Sequence, residues 1–211
     1  MQKESKKNEA AARERSYKLL NWKVHVKTIE KHFGSVCEQA KKISFFENLY
    51  VSRNDDHRQI QLFSGQHPIQ APEVTRDAFG RETGYKTHTE RGAALVVSQS
   101  TLGEVAVILY PYFSEKLRRT QPYIIWGMFT DPTQITDSVL KSATSDFFRY
   151  MRVSSALFSE GAVDRLRIRY LEFRSRKYTG SGGIATLIFS HWSWVFLGAV
   201  GSLASIYSLW K

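Results

Sequence analysis

A single cysteine, Cys37, stands among 211 residues. It excludes an intramolecular disulfide framework and any all-cysteine zinc site. No GxxxxGK(S/T) or GxGxxG run is present, so phosphate-cradling loops of those types lack support. No GxSxG occurs either, and with it goes the nucleophile elbow of one large hydrolase class. None of the 6 histidines sits in an HExxH pair. The N-terminal MQKESKKNEAAARER has no apolar core, so a cleaved secretory signal is not expected. The most informative absence is of charge: no Asp, Glu, Lys or Arg lies between Lys177 and Lys211.

What is present begins with a basic balance, 30 Lys and Arg against 20 Asp and Glu, for a formal charge of +10. Hydrophobic residues make up 42% and aromatics 13%, enough to build a core, which excludes a disordered chain. The mean hydropathy of −0.35 excludes a polytopic membrane protein. That average hides a segregation, because every acidic residue and every basic residue but Lys211 lies at or before Lys177.

The uncharged end reads IATLIFSHWSWVFLGAVGSLASIYSLW over 184–210. A transmembrane helix needs ~20 apolar residues, and this run exceeds that. Trp192 and Trp194 mark one end and Tyr207 and Trp210 the other, as aromatic anchors do at the two membrane interfaces. As a helix, 192–210 rises roughly 28 Å, against a hydrocarbon core of ~30 Å. Arg165, Arg167, Arg169, Arg174, Arg176 and Lys177 precede the run and only Lys211 follows it. The positive-inside rule then predicts a tail-anchored protein with 1–183 in the cytoplasm. Those six basic residues also attract anionic lipid, by about 1 kcal/mol each near a charged surface. Gly198 with Ser202, and Gly201 with Ser205, are small-xxx-small pairs that let two such helices approach and associate.

Ahead of the span, residues 1–14 read as a charged, frayed tail. A helical stripe of Leu19, Trp22, Val26, Ile29, Phe33, Val36, Ala40 and Ile43 follows at gaps of three and four. It serves either as the inner face of a helix on its own sheet or as a self-associating coiled-coil seam. Strands are expected at 48–53 and 57–63 about the turn Asn54-Asp55-Asp56, then at 93–99, 104–110 and 123–129. Gly103 ends a short connection that calls for a positive φ. Runs such as VAVIL suit a strand buried on both faces. Residues 64–91 read as a long polar loop. Thr136-Asp137 starts a second helix with Leu140, Ala143, Phe147, Tyr150, Met151 and Ser154 facing inward. Residues 160–178 fit strand or helix, since Val163, Leu166, Tyr170 and Phe173 also keep helical spacing.

The expected fold is therefore α+β. An antiparallel sheet of about five strands is flanked by an N-terminal and a C-terminal helix, and a single transmembrane helix follows. The expected divisions are a tail at 1–14, a cytosolic domain at 15–158, a basic segment with a Gly/Ser hinge at 159–183, and the anchor at 184–210.

Candidate chemistry is sparse. Arg81, Lys86 and Arg91 lie in the 64–91 stretch and Lys116, Arg118 and Arg119 between two strands. Gathered at one sheet end they would form an anion-binding or nucleotide-binding mouth, with aromatic stacking from Tyr85, Tyr112 or Phe113. Asp55, Asp56, His57, His88 and Glu90 are the first candidates for a tethered hydrolase or nuclease with dispersed residues. No metal or cofactor is expected. The sequence favours a non-enzymatic sensor or interaction domain on a membrane anchor. Its expected partners are the lipid bilayer and a second copy, met through the N-terminal helix or the span. In its strongest form it is an assembling effector that perturbs the membrane, as in some bacterial defence architectures, by analogy alone. A membrane-recruiting adaptor is the third class.

Overall fold

A computed structural model describes residues 2–69, 73–114, 121–158 and 161–180. The expected span at 184–210 lies outside the described residues. Among those described, no helix is long and apolar enough to cross a membrane.

The chain opens with helix α1 (Gln2–Lys42). Residues 8–17 stand in solvent, with i,i+4 pairs Glu9–Arg13 at 3.8 Å and Glu14–Lys18 at 2.8 Å. The stretch expected to be a frayed tail is thus helical from Gln2. The register of three and four is used inside the molecule. Trp22, Val26, Ile29, Phe33 and Ala40 are all buried in the main core. The seam is therefore closed by the chain's own sheet, and Tyr17, Leu20 and Val24 stay exposed on the outer side.

Strands β1 (Leu49–Asn54) and β2 (Gln59–Ser64) form the first hairpin. After an excursion the chain returns with β7 (Ala94–Gln99), β8 (Val105–Tyr110) and β10 (Ile124–Phe129). The sheet order is β1-β2-β7-β8-β10, and every neighbour pair is antiparallel. The five strands lie within two residues of the expected bounds, the first two about the Asn54-Asp55-Asp56 turn and the other three on the apolar runs. β7 is buried at every position, as the absence of period-2 alternation required. One face, including Ile60, Leu62, Leu95, Val97, Val107, Leu109 and Ile124, joins the helices in a single core. The other carries Ala94, Val96, Ala106 and Ile108 in a second, smaller cluster. Gly103 turns the β7–β8 connection at φ +90.

The excursion is where the sequence reading needs correction. In place of a long loop, 64–91 contains β3 (His67–Pro68), β4 (Glu73–Arg76), β5 (Glu82–Lys86) and β6 (Thr89–Arg91). β4 and β5 make a two-stranded hairpin. β3 and β6 pair, and β6 also pairs with β9 (Phe113–Ser114). β4 is exposed along its whole length, so no hydrophobic alternation marks it.

A 3₁₀ turn at Pro132–Gln134, capped by Asp131 through a 2.8 Å bond from Thr133 N, leads into α2 (Asp137–Ser154). Thr136 caps α2 as expected, its side chain accepting from Val139 N at 3.4 Å. The ambiguous 160–178 stretch is helix α3 (Ala162–Gly180). Ile168 and Leu171 enter the main core. Ser175 Oγ accepts Ile125 N–H at 2.9 Å, and Arg174 donates to the Trp126 carbonyl. Both groups belong to β10 at the sheet edge, so α3 satisfies backbone that an open edge would present to other chains.

Candidate functional site

A buried polar cluster lies where the excursion meets the end of the sheet. Glu47, in the turn between α1 and β1, and Glu90, on β6, are both buried. His67 on β3 stands between them. Its Nδ1 faces Glu47 Oε1, and its Nε2 is 3.1 Å from Glu90 Oε2. Pairing of β3 with β6 sets His67 opposite Glu90. The end of α2 completes the cluster: Ser155 Oγ donates to Glu90 at 2.7 Å and Ala156 N–H at 3.1 Å. The Tyr112 ring packs 5.4 Å from His67, and Phe158 lies 6.2 Å away.

The electrostatics follow from burial. Loss of solvent pushes the Glu47 carboxyl above its ordinary value, and the nearby Glu90 adds to that, while His67 pulls the other way. Burial pushes the Tyr112 phenol up well beyond its ordinary range. Close packing holds the same corner. A Cβ on Gly92 would lie 1.9 Å from the Ser64 carbonyl oxygen, and Ser64 Oγ accepts Ala93 N–H at 3.0 Å. The cluster ties the α1–β1 turn, the excursion and the α2 terminus together. With Glu90 at 1% exposure, its carboxylate accepting from Ser155 Oγ and Ala156 N beside the His67 ring, it has the form of a clasp rather than an open acid–base site.

The remaining predicted residues are dispersed. Asp55, Asp56 and His57 sit on the β1–β2 turn, where Asp55 pairs with Arg53 at 2.7 Å and Asn54 accepts His57 N–H at 3.0 Å. By strand register this turn is at the opposite end of β1 and β2 from Leu49 and Ser64, and hence from the cluster. His88 pairs with Glu73 at 3.1 Å, so of the five enzymatic candidates only Glu90 belongs to the cluster. Arg81 lies just before β5 and Lys86 at its far end, a separation of roughly 16 Å at ~3.3 Å per residue. Arg91 ends β6, opposite Phe113. All three are exposed. Lys116, Arg118 and Arg119 lie outside the described residues, as do Gly198, Gly201, Ser202, Ser205, Trp192, Trp194, Tyr207 and Trp210. Among the described residues, no group of three His, Cys, Asp or Glu side chains is placed to hold a metal ion.

The basic residues of α3 divide into two sets. Arg167 grips buried Asp146 at 3.0 and 2.7 Å. Arg174 bonds the Trp126 carbonyl and lies 5.5 Å from the centre of that ring. Arg165, Arg169, Arg176 and Lys177 are exposed. Beside them runs an exposed apolar stripe of Val163, Leu166, Tyr170 and Phe173.

One further concavity, of about 620 Å³, lies between α1 and α2 and is lined by His32, Gln39, Ile43, Lys141, Phe148 and Arg152 among others. His32 bonds Thr144 there at 3.2 Å, and burial lowers its pKa. No spacing in the sequence announced either this groove or the Glu47–His67–Glu90 cluster.

No protein-family model, curated protein or solved structure matches the chain.

Proposed function

We propose that the protein is a membrane-tethered, non-enzymatic sensor or interaction module. A cytosolic α+β domain is held at the bilayer by a single span at 184–210. One observation carries this reading: a charge-free apolar run long enough to span begins directly after the last helix of a basic domain. The positive charge on the domain side supports the cytosolic orientation. The closed state of the Glu47–His67–Glu90 cluster supports a non-enzymatic role, because catalytic groups must reach a substrate. The separation of Asp55, Asp56 and His57 from that cluster supports it too.

The test is alkaline carbonate extraction and density-gradient flotation of the full chain, compared with a chain lacking 184–210. The full chain is expected to stay with the membrane at high pH, and the shortened chain to be released. Release of both refutes the tether. Exchange of 184–210 for an unrelated span then separates two forms of the reading. An adaptor keeps its activity after the exchange, and a membrane-perturbing effector loses it.

A further inference from the structure

Helix α3 has two apolar faces. One is spent on the core through Ile168 and Leu171, at 1% and 0% exposure. The other is turned outward: Val163 is 76% exposed, Leu166 72%, Tyr170 52% and Phe173 61%. These four follow one another at gaps of three, four and three, so they form one continuous stripe. At ~1.5 Å per residue the stripe runs about 15 Å along the helix. Large apolar side chains scattered singly on a surface need no explanation, but a continuous row does.

The charges around the row are ordered. Helical geometry sets Arg165, Arg169 and Arg176, with Glu172 among them, along one side of it and Arg167 and Arg174 along the other. The Arg167 guanidinium lies 5.6 Å from the centre of the Tyr170 ring, and Lys177 Nζ lies 5.7 Å from that of Phe173. An apolar stripe with aromatic members and a cationic rim is the make-up of a helix that lies in a membrane interface. Its long basic side chains can keep their heads at the phosphate level while their stems cover apolar surface.

Position along the chain favours the bilayer over any other cover. α3 ends at Gly180, and the apolar run begins at Ile184. Four residues reach at most about 14 Å, so a span starting there holds the end of α3 close to the headgroups. We infer that the outer face of α3 lies in the interface of an anionic bilayer, with Val163, Leu166, Tyr170 and Phe173 below the headgroups and Arg165, Arg169 and Arg176 on the lipid phosphates. The inference rests on the membrane-tether reading and adds to it an orientation. The domain is docked on the bilayer through α3 instead of swinging from the Gly/Ser hinge.

The experiment uses the full chain with Cys37→Ser and one new cysteine, Leu166→Cys or Tyr170→Cys on the stripe. Leu102→Cys serves as the control, in the β7–β8 turn at the opposite end of the sheet from the Ser175–Ile125 contact. Each is labelled with an environment-sensitive NBD dye and reconstituted into phosphatidylcholine vesicles with or without phosphatidylserine. Flotation reads the tether, and quenching by nitroxide-labelled lipid reads the stripe. The expected result is flotation of all three. Emission should blue-shift and be quenched by lipid nitroxide at 166 and 170 but not at 102, more strongly with phosphatidylserine. Leu166→Glu with Phe173→Glu, both at exposed positions, should abolish quenching at 170 while flotation and helical circular dichroism persist. Flotation with a water-exposed probe at 166 overturns the docking and leaves the tether standing. A blue-shifted probe that lipid nitroxide does not quench, with energy transfer between copies, assigns the face to a second copy and overturns the proposal. Failure to float overturns the tether, and the docking with it.

Discussion

Replacing Asp146 by alanine should loosen α3 from the body of the domain. Asp146 is 1% exposed and accepts from three side chains: Trp126 Nε1 at 2.9 Å, Arg149 at 2.9 Å, and Arg167 at 3.0 and 2.7 Å. Its loss leaves the buried Trp126 N–H without an acceptor, which costs about 1–3 kcal/mol. Arg149 and Arg167 keep 35% and 34% of their side-chain surface in water. Solvent therefore screens their loss, which adds about 1 kcal/mol in total. The sum is about 3 kcal/mol, at the lower edge of the range for breaking a buried ion pair. For a chain of this size that lowers Tm by roughly 6–12 °C. Asp146→Asn keeps an acceptor for Trp126 and should cost about half as much. The assay is thermal unfolding of the full chain in mild detergent, followed by near-ultraviolet circular dichroism, with Arg167→Met completing a double-mutant cycle. A fall under about 2 °C, or a coupling energy within ~0.3 kcal/mol of zero, refutes the assignment of Asp146 as the clamp.

The same residue has a pH signature. Burial alone would raise the Asp146 pKa, but the hydrogen bonds from Arg167, Trp126 and Arg149 and the Arg167 charge outweigh it. They hold the carboxyl below its ordinary 3.8. A depressed carboxylate contributes stability that is present above its unfolded value and lost as pH falls through the folded value. The wild type should lose stability in the window below pH 3.8, and Asp146→Asn should lack that component.

Three further outcomes are expected. Glu47 has the opposite sign: burial raises its pKa from an ordinary 4.5, so its contribution is present below that value and lost as pH rises through the folded one. Urea unfolding of Glu47→Gln against pH should show a flatter decline above pH 4.5 than the wild type, and an unchanged slope refutes the burial argument. Gly92→Ala should lower the urea midpoint by the equivalent of about 3 kcal/mol or more, because its Cβ meets backbone that cannot rotate away; a midpoint within ~0.5 kcal/mol of the wild type contradicts the close approach. Gly198→Leu with Gly201→Leu should weaken self-association in a membrane two-hybrid assay if the span packs against its own copy; an unchanged signal removes that packing face.

Legibility in the sequence tracked burial. The strands β7, β8 and β10 are apolar runs, and α2 has both an inward stripe and a capping threonine. Each is a local pattern with a local cause. The β4–β5 hairpin has neither. Its residues Glu73, Val74, Thr75 and Arg76 are all exposed, so pairing rests on backbone hydrogen bonds and on the Asp77 turn, whose Oδ1 accepts Phe79 and Arg81 N–H at 2.9 and 2.8 Å. Polar strands of this kind look like loops to any reading based on alternation. α1 shows the converse. Its register was legible, but a seam of this spacing suits a sheet and a partner helix equally, and it is the burial of Trp22 and Phe33 that shows their use within the same chain.

The candidate sites divide in the same way. Glu47, His67, Glu90 and Ser155 come from four separate elements and share no spacing, so only topology unites them. Sequence singled out Glu90 among them, but for a reaction that its closed surroundings do not favour. α3 is different, because its ambiguity was itself the signal. Arg165 to Tyr170 alternates like a strand because the helix carries apolar residues on two sides, Ile168 and Leu171 toward the core and Leu166 and Tyr170 toward the outside. A helix with one dry face would have shown a clean period of 3.6. Two apolar faces blur that period, and a second one has a physical reason to exist only if something apolar meets it. The clamp at Asp146 fixes how α3 is rotated about its axis, and so fixes which of its apolar faces is turned outward.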